Sequence, residues 1–167
     1  DFAIFLYIHN ILLLLNSVMH TFQKVSEIEL QRIAENLSSH LSAPFTVCLW
    51  GDLGAGKTTF CRALIRSLCP HVEHVPSPTF TLIQEYVSAH GPVWHCDLYR
   101  LKSMEEIEEL GLLDALYDKI CLIEWPERLG HFLPENRLDL RLTIAADLNR
   151  TIKMQCQGAV HIDFNRL

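Results

Sequence analysis

The chain reads as an α/β protein on three observations. The apolar run Phe45-Thr46-Val47-Cys48-Leu49-Trp50 leads into a glycine-rich loop and then into apolar residues at helical spacing. A second compact apolar run, Ile120-Cys121-Leu122-Ile123, ends in an acid. Between and around these runs, strand-like and helical segments alternate along 167 residues, a length suited to one core.

Taken in order, Thr21 to Val25 predicts a short strand, and Ser26 with Glu29 makes a capping box for a helix whose buried stripe is Leu30, Ile33, Leu37 and Leu41. Pro44 ends that helix, and the strand to Trp50 follows. Thr59 to Leu68 is helical, closed by Pro70. Val75 to Phe80 is a loop stiffened by Pro76 and Pro78, each of which fixes its own φ and restrains the residue before it. Thr81 to Val87 and Val93 to Asp97 predict two strands about a turn at His90-Gly91-Pro92. Ser103 with Glu106 suggests a second capping box and a helix to about Leu110, broken at Gly111, with a further turn or two over Leu112 to Tyr117. After the Ile120 strand comes Glu124-Trp125-Pro126-Glu127. Arg137 to about Ile162 alternates as β-strand does, with Leu138, Leu140, Leu142 and Ile144 on one face. No repeat or linker interrupts residues 19–167, which are expected to form one domain.

Phe2 to Leu15 is almost wholly apolar, broken only by His9 and Asn10. It is shorter than the roughly 20 residues of a spanning helix and lacks a basic flank and a small-residue cleavage site. The chain starts at Asp1, and Met19 stands just before ordinary globular sequence. Residues 1–18 therefore read as an extraneous hydrophobic leader, with a peripheral membrane or partner-binding helix as the alternative. No membrane association is expected of residues 19–167. A net charge of −6 without a Lys/Arg cluster argues against a large nucleic-acid footprint, so any nucleic acid would be handled by a partner. Six cysteines without a Cys-x-x-Cys pair fit reduced thiols in a cytoplasmic protein. His71 and His74 have metal-like spacing but no second ligand pair, which favours a solvated loop.

The chemistry centres on Gly51-Asp52-Leu53-Gly54-Ala55-Gly56-Lys57-Thr58, which fits G-x-x-x-x-G-K-[ST] between a strand and a helix. Such a loop wraps backbone N–H groups around phosphate oxygens and points a helix N-terminus at the anion. The candidate nucleotide-binding set is Asp52, Leu53, Gly54, Ala55, Gly56, Lys57, Thr58 and Thr59, with Lys57 on the β- and γ-phosphates and Thr58 on magnesium. Hydrolysis needs further oxygen ligands and a group to position water. Asp97 and Glu124 each end an apolar strand, where ligands of open α/β sheets sit; a helix cap or surface ion pair is the plainer alternative for either. Ser77 and Thr79 suit a γ-phosphate sensor or an ordinary surface loop. Trp125 would cover the site or pack in the core. Arg100 would offset phosphate charge or pair with the acidic helix. Glu105, Glu106, Glu108 and Glu109 form a solvated face or one that meets a basic partner.

Four segments in this order, Gly51 to Thr59, Pro76-Ser77-Pro78-Thr79-Phe80-Thr81-Leu82, His95-Cys96-Asp97-Leu98-Tyr99-Arg100-Leu101 and Glu124-Trp125-Pro126-Glu127, resemble the TsaE family of bacterial ATPases that support threonylcarbamoyladenosine modification of tRNA. The resemblance spans about Met19 to Ile144. It implies a P-loop NTPase-like three-layer fold with a central mixed β-sheet flanked by helices, and ATP with Mg2+ as cofactors. TsaD and TsaB are the implied partners, with tRNA reached only through them. It further implies that Lys57, Asp97 and Glu124 carry slow ATP hydrolysis, that Thr58, Glu124 and Asp97 surround the metal, and that Ser77, Thr79 and Trp125 lie at the nucleotide. Which acid takes which role stays open. A nucleotide-gated assembly switch without required turnover is the rival reading, and a small-molecule kinase a third, although no arginine-rich lid is visible. The guanine reader Asn-Lys-x-Asp and the transporter signature Leu-Ser-Gly-Gly are both absent.

Overall fold

The computed structural model describes residues 19–167, so the reading of residues 1–18 as a leader lies outside the described residues. The elements run β1 (His20–Val25), α1 (Glu27–Ser38), β2 (Phe45–Trp50), α2 (Lys57–Leu68), β3 (Ile83–Ser88), β4 (Gly91–Asp97), α3 (Glu105–Glu109), α4 (Leu112–Ala115), β5 (Ile120–Glu124), a 3-10 segment (Pro126–Phe132), β6 (Arg137–Ile144) and β7 (Arg150–Gln157). The seven strands form one sheet in the order β1-β7-β6-β2-β5-β4-β3. Strands β6, β2, β5 and β4 are parallel, whereas β1, β7 and β3 join antiparallel, so the sheet is mixed.

The two faces of β5 explain the layers. Alternate side chains point to opposite faces, so Leu122 packs with Leu30, Leu37, Phe60 and Leu64 of α1 and α2. Cys121 and Ile123 pack instead with Ile107, Leu112 and Leu129 under α3, α4 and the 3-10 segment. Residues 120–124 are all buried, which is why the run is continuously apolar until the acid. One buried polar cluster sits within the sheet: Asp139 on β6 accepts from Arg137, Trp50 Nε1 at 2.8 Å and Gln157.

The capping box at Ser26 forms as its sequence suggests, with Glu29 N–H donating to Ser26 Oγ and Ser26 N–H to the Glu29 carboxylate. The second box does not. The helix at 105–109 is capped by Met104, which is itself in helical conformation, and Glu106 accepts from Lys102 N–H rather than from Ser103. With the preceding turn already wound, Ser103 sits one residue too early to cap. Strand β3 begins at Ile83, because Pro78 to Thr81 turn first and Leu82 N–H donates to Pro78 C=O. The tight turn falls on Ala89-His90, and Gly91 and Pro92 already belong to β4. The alternation of β6 holds through Leu142 but releases Ile144 to solvent, and β7 ends at Gln157, short of Ile162.

His71 and His74 are exposed on a loop. No helix among the described residues is long and apolar enough to cross a membrane. All six cysteines are buried and unpaired. Burial pushes the Cys121 thiol up to about 12 and Cys156 to about 11, with Cys48, Cys61, Cys69 and Cys96 also raised. The thiolate is the reactive form and its population rises only as pH approaches the thiol's pKa. At pH 8 the native protein should therefore react negligibly with an aromatic disulfide reagent, and urea should release all six thiols; rapid labelling of even one in the native state contradicts this.

Candidate functional site

The loop from Gly51 to Gly56 leaves the carboxyl end of β2 and opens α2. Gly51 stands at φ 140 and a Cβ there would collide with the Leu142 carbonyl oxygen, so β6 passes too close for any side chain. Gly56 at φ 106 is the left-handed residue before α2. The loop curls around its own lysine. Lys57 Nζ donates to the carbonyls of Gly51 and, at 2.9 Å, Asp52, and lies 3.9 Å from the centre of the Trp125 ring. Burial lowers the Lys57 pKa from its ordinary value, and the carboxylates of Glu124, Glu127, Asp97 and Asp52 oppose that shift. A strongly desolvated cation held by neutral carbonyls is poised to accept an anion.

Asp97 and Glu124 are register partners at the ends of the parallel strands β4 and β5. Both are buried, yet each is solvated separately by protein. Glu124 Oε2 accepts from Thr58 Oγ1 at 2.9 Å, and Oε1 lies 2.8 Å from His95 Nε2. Asp97 Oδ2 accepts from Thr79 Oγ1 at 2.8 Å and Oδ1 from Tyr99 N–H at 3.0 Å, while Ser77 and Thr79 hydroxyls share a 2.8 Å hydrogen bond. One acid is thus tied to the phosphate loop and the other to the 76–81 loop.

Trp125 follows Glu124 in the left-handed region, φ 61 and ψ 50, a conformation that costs a non-glycine residue energy and is found where geometry matters. The turn carries its indole back over Lys57 and against Tyr99, ring centres 4.9 Å apart. Together these groups line a pocket of about 330 Å³ whose walls are Leu53, Gly54, Gly56, Lys57, Thr58, Thr59, Ser77, Thr79, Asp97, Tyr99, Arg100, Glu124, Trp125 and Arg150. Of the residues singled out from sequence, Asp52 and Ala55 do not line it. Asp52 contributes its carbonyl to Lys57 and to Ala55 N–H, and Ala55 packs into the core. Arg100 stacks its guanidinium 4.4 Å from the Phe80 ring at the pocket's edge.

The family model described as "Threonylcarbamoyl adenosine biosynthesis protein TsaE" matches residues 24–152, a span that takes in the phosphate loop, both acids and Arg150. This chain belongs to the TsaE family. Relatives named tRNA threonylcarbamoyladenosine biosynthesis protein TsaE include one from Rickettsia bellii, 45% identical over 125 residues (75% of this chain, 87% of the relative), and one from Bacillus subtilis, 35% identical over 138 residues (82% and 85%). The solved structure of Bacillus subtilis YdiB superposes with a TM-score of 0.69 at 29% identity, covering 84% of this chain and 87% of that one. The TsaE fold is thus a P-loop NTPase-like α/β fold, and the family's place is in tRNA threonylcarbamoyladenosine biosynthesis.

Arg150 and Tyr99 on the pocket wall, and His95 against Glu124, were assigned no role from the sequence, although His95 and Tyr99 lie in one of the four TsaE-like segments. Arg150 comes from β7, where its Nε donates to Ala55 C=O at 3.2 Å across 95 positions. Tyr99 enters as a lid partner of Trp125. His95 reaches Glu124 from two residues before Asp97, on the same face of β4.

Proposed function

We propose that this chain binds ATP with magnesium in the pocket at the carboxyl ends of β2, β4 and β5, hydrolyses it slowly, and acts in the cytoplasm on a TsaD/TsaB assembly that alone meets the tRNA. The observation that carries this is the Thr58–Glu124 hydrogen bond beside Lys57, which sets a hydroxyl and a carboxylate together next to a buried cation. Hard oxygen donors of this kind suit Mg2+, and a loop closed to side chains at Gly51 suits phosphate, so the residues present fit both groups. Thr58 and Glu124 would hold the ion, with Asp97 nearby; when bound, magnesium neutralises charge that develops on phosphate oxygens.

The protein's own part is positional. The N–H groups from Gly54 to Thr58 and the Lys57 ammonium orient the phosphates. Asp97, tied to Thr79, would orient or deprotonate water, a division of roles supported by its contact with the 76–81 loop rather than with the phosphate loop. Trp125 and Tyr99 shield the chamber. The Ser77–Thr79–Asp97 chain also favours a second reading, in which occupancy of the site sets the 76–81 loop and turnover is incidental.

Association with TsaD and TsaB, measured by co-purification with ATP, ADP or no nucleotide, should depend on ATP and Mg2+. Association indifferent to nucleotide would remove the partner role while leaving nucleotide binding intact.

A further inference from the structure

His95 has no part in the reading above, yet it is wholly buried and its Nε2 lies 2.8 Å from Glu124 Oε1. Its other ring nitrogen, Nδ1, is buried without a hydrogen-bond partner among the described residues. A buried polar atom left bare is a cost that selection of a plain apolar residue would remove. We propose that His95 is a positioning residue for Glu124: its Nε2–H donates to Oε1, fixes the orientation of the carboxylate, and leaves Oε2 aimed at Thr58 and the metal. This rests on the magnesium-ATP reading of the site.

The donor inventory gives the tautomer. For Nε2 to donate to the Glu124 carboxylate the proton sits on Nε2, the tautomer in which Nδ1, without a hydrogen-bond partner among the described residues, is bare. The alternative of a buried metal centre meets a geometric obstacle. Cys61, His95 and Glu124 do bring ligand-capable atoms within 4.8 Å of one another. Two ligands about 2.0 Å from one tetrahedral ion, however, lie about 3.3 Å apart. The 2.8 Å contact is a hydrogen bond.

Without His95 the Glu124 carboxylate loses the donor on Oε1, and its orientation toward Thr58 is no longer held from both oxygens. Second partners of metal-binding carboxylates typically influence metal affinity or activity by about 10- to 100-fold. Two measurements test the role. In the free protein, long-range proton–nitrogen NMR of the histidine rings should place a His95 proton on Nε2; a proton on Nδ1 alone overturns the proposal. This readout needs no nucleotide. In the full chain, His95→Ala should raise the Mg2+ needed for half-maximal ATP hydrolysis about tenfold or lower kcat about 10-fold or more, with KM for ATP within about twofold. His95→Gln, whose amide reaches the same oxygen, should recover most of the loss. Equal impairment of the two variants, or unchanged Mg2+ dependence and kcat in His95→Ala, overturns it. Wild-type protein without ATPase activity would instead remove the reading beneath, and the ring proton would still decide the tautomer.

Discussion

Lys57→Ala is expected to weaken ATP binding by about 100-fold or more and to bring hydrolysis below detection. The ammonium is the cation held inside the phosphate loop, with Arg100 and Arg150 also on the pocket wall, and hydrogen bonds to charged groups contribute about 1.5–3 kcal/mol each. Losing two of them to phosphate oxygens costs about 3 kcal/mol, and about 1.4 kcal/mol is a factor of ten. Binding would not vanish, because the loop N–H groups and the N-terminus of α2 remain. The fold should tolerate the change, since two hydrogen bonds to Gly51 and Asp52 carbonyls are lost while a desolvated charge is relieved. Titration calorimetry and a melting curve separate the two effects. In a background where Trp50 and Trp94 are phenylalanine, Trp125 emission offers a third measure, because the Lys57 cation over its ring is removed. Affinity within about threefold of wild type, a difference of about 0.7 kcal/mol, would show that Lys57 does not hold the ligand.

Much of this site was legible because its chemistry is local. The loop from Gly51 to Thr58 carries its own backbone requirement, and Glu124 announces itself as the polar end of a run that is otherwise buried on both faces. The hydroxyls of Ser77 and Thr79 were visible in a loop stiffened by Pro76 and Pro78, but not that Thr79 bonds Asp97; a hydrogen bond between positions 79 and 97 is settled by how β3 and β4 pair. Arg150 was beyond reach for the same reason. Its approach to Ala55 depends on β7 lying next to β6, and β6 next to β2, an order that hydrophobic periodicity does not encode. The failed capping box at Ser103 shows the converse. The Ser-x-x-Glu pattern is a local preference, and in a five-residue helix whose turn is already wound at Met104 it was overridden.

Glu124→Gln is the variant that separates catalysis from occupancy, and its expected result is a loss of hydrolysis of about 100- to 10,000-fold with ATP affinity within about tenfold. Glu124→Ala would be harder to interpret. It strips the acceptor from Thr58 Oγ1–H and from the wholly buried His95, and an orphaned buried donor costs about 1–3 kcal/mol, so lost activity and lost fold would be confounded. Glutamine keeps the shape. Its amide oxygen can accept from His95, and its NH2 can face the Thr58 oxygen once that hydroxyl turns its proton away, so only the negative charge is removed. A melting temperature near that of wild type, together with retained ATP binding by calorimetry, would establish that the pocket is intact. Turnover then decides the role of the acid: hydrolysis within about tenfold of wild type would mean that the Glu124 charge does not serve the reaction. The same protein also discriminates the two readings of the TsaE-family role. If it still associates with TsaD and TsaB in ATP but supports only one round of tRNA modification, hydrolysis resets the assembly. If rounds continue without hydrolysis, the Thr79–Asp97 contact becomes the part that matters, because it links the site to the 76–81 loop through occupancy alone.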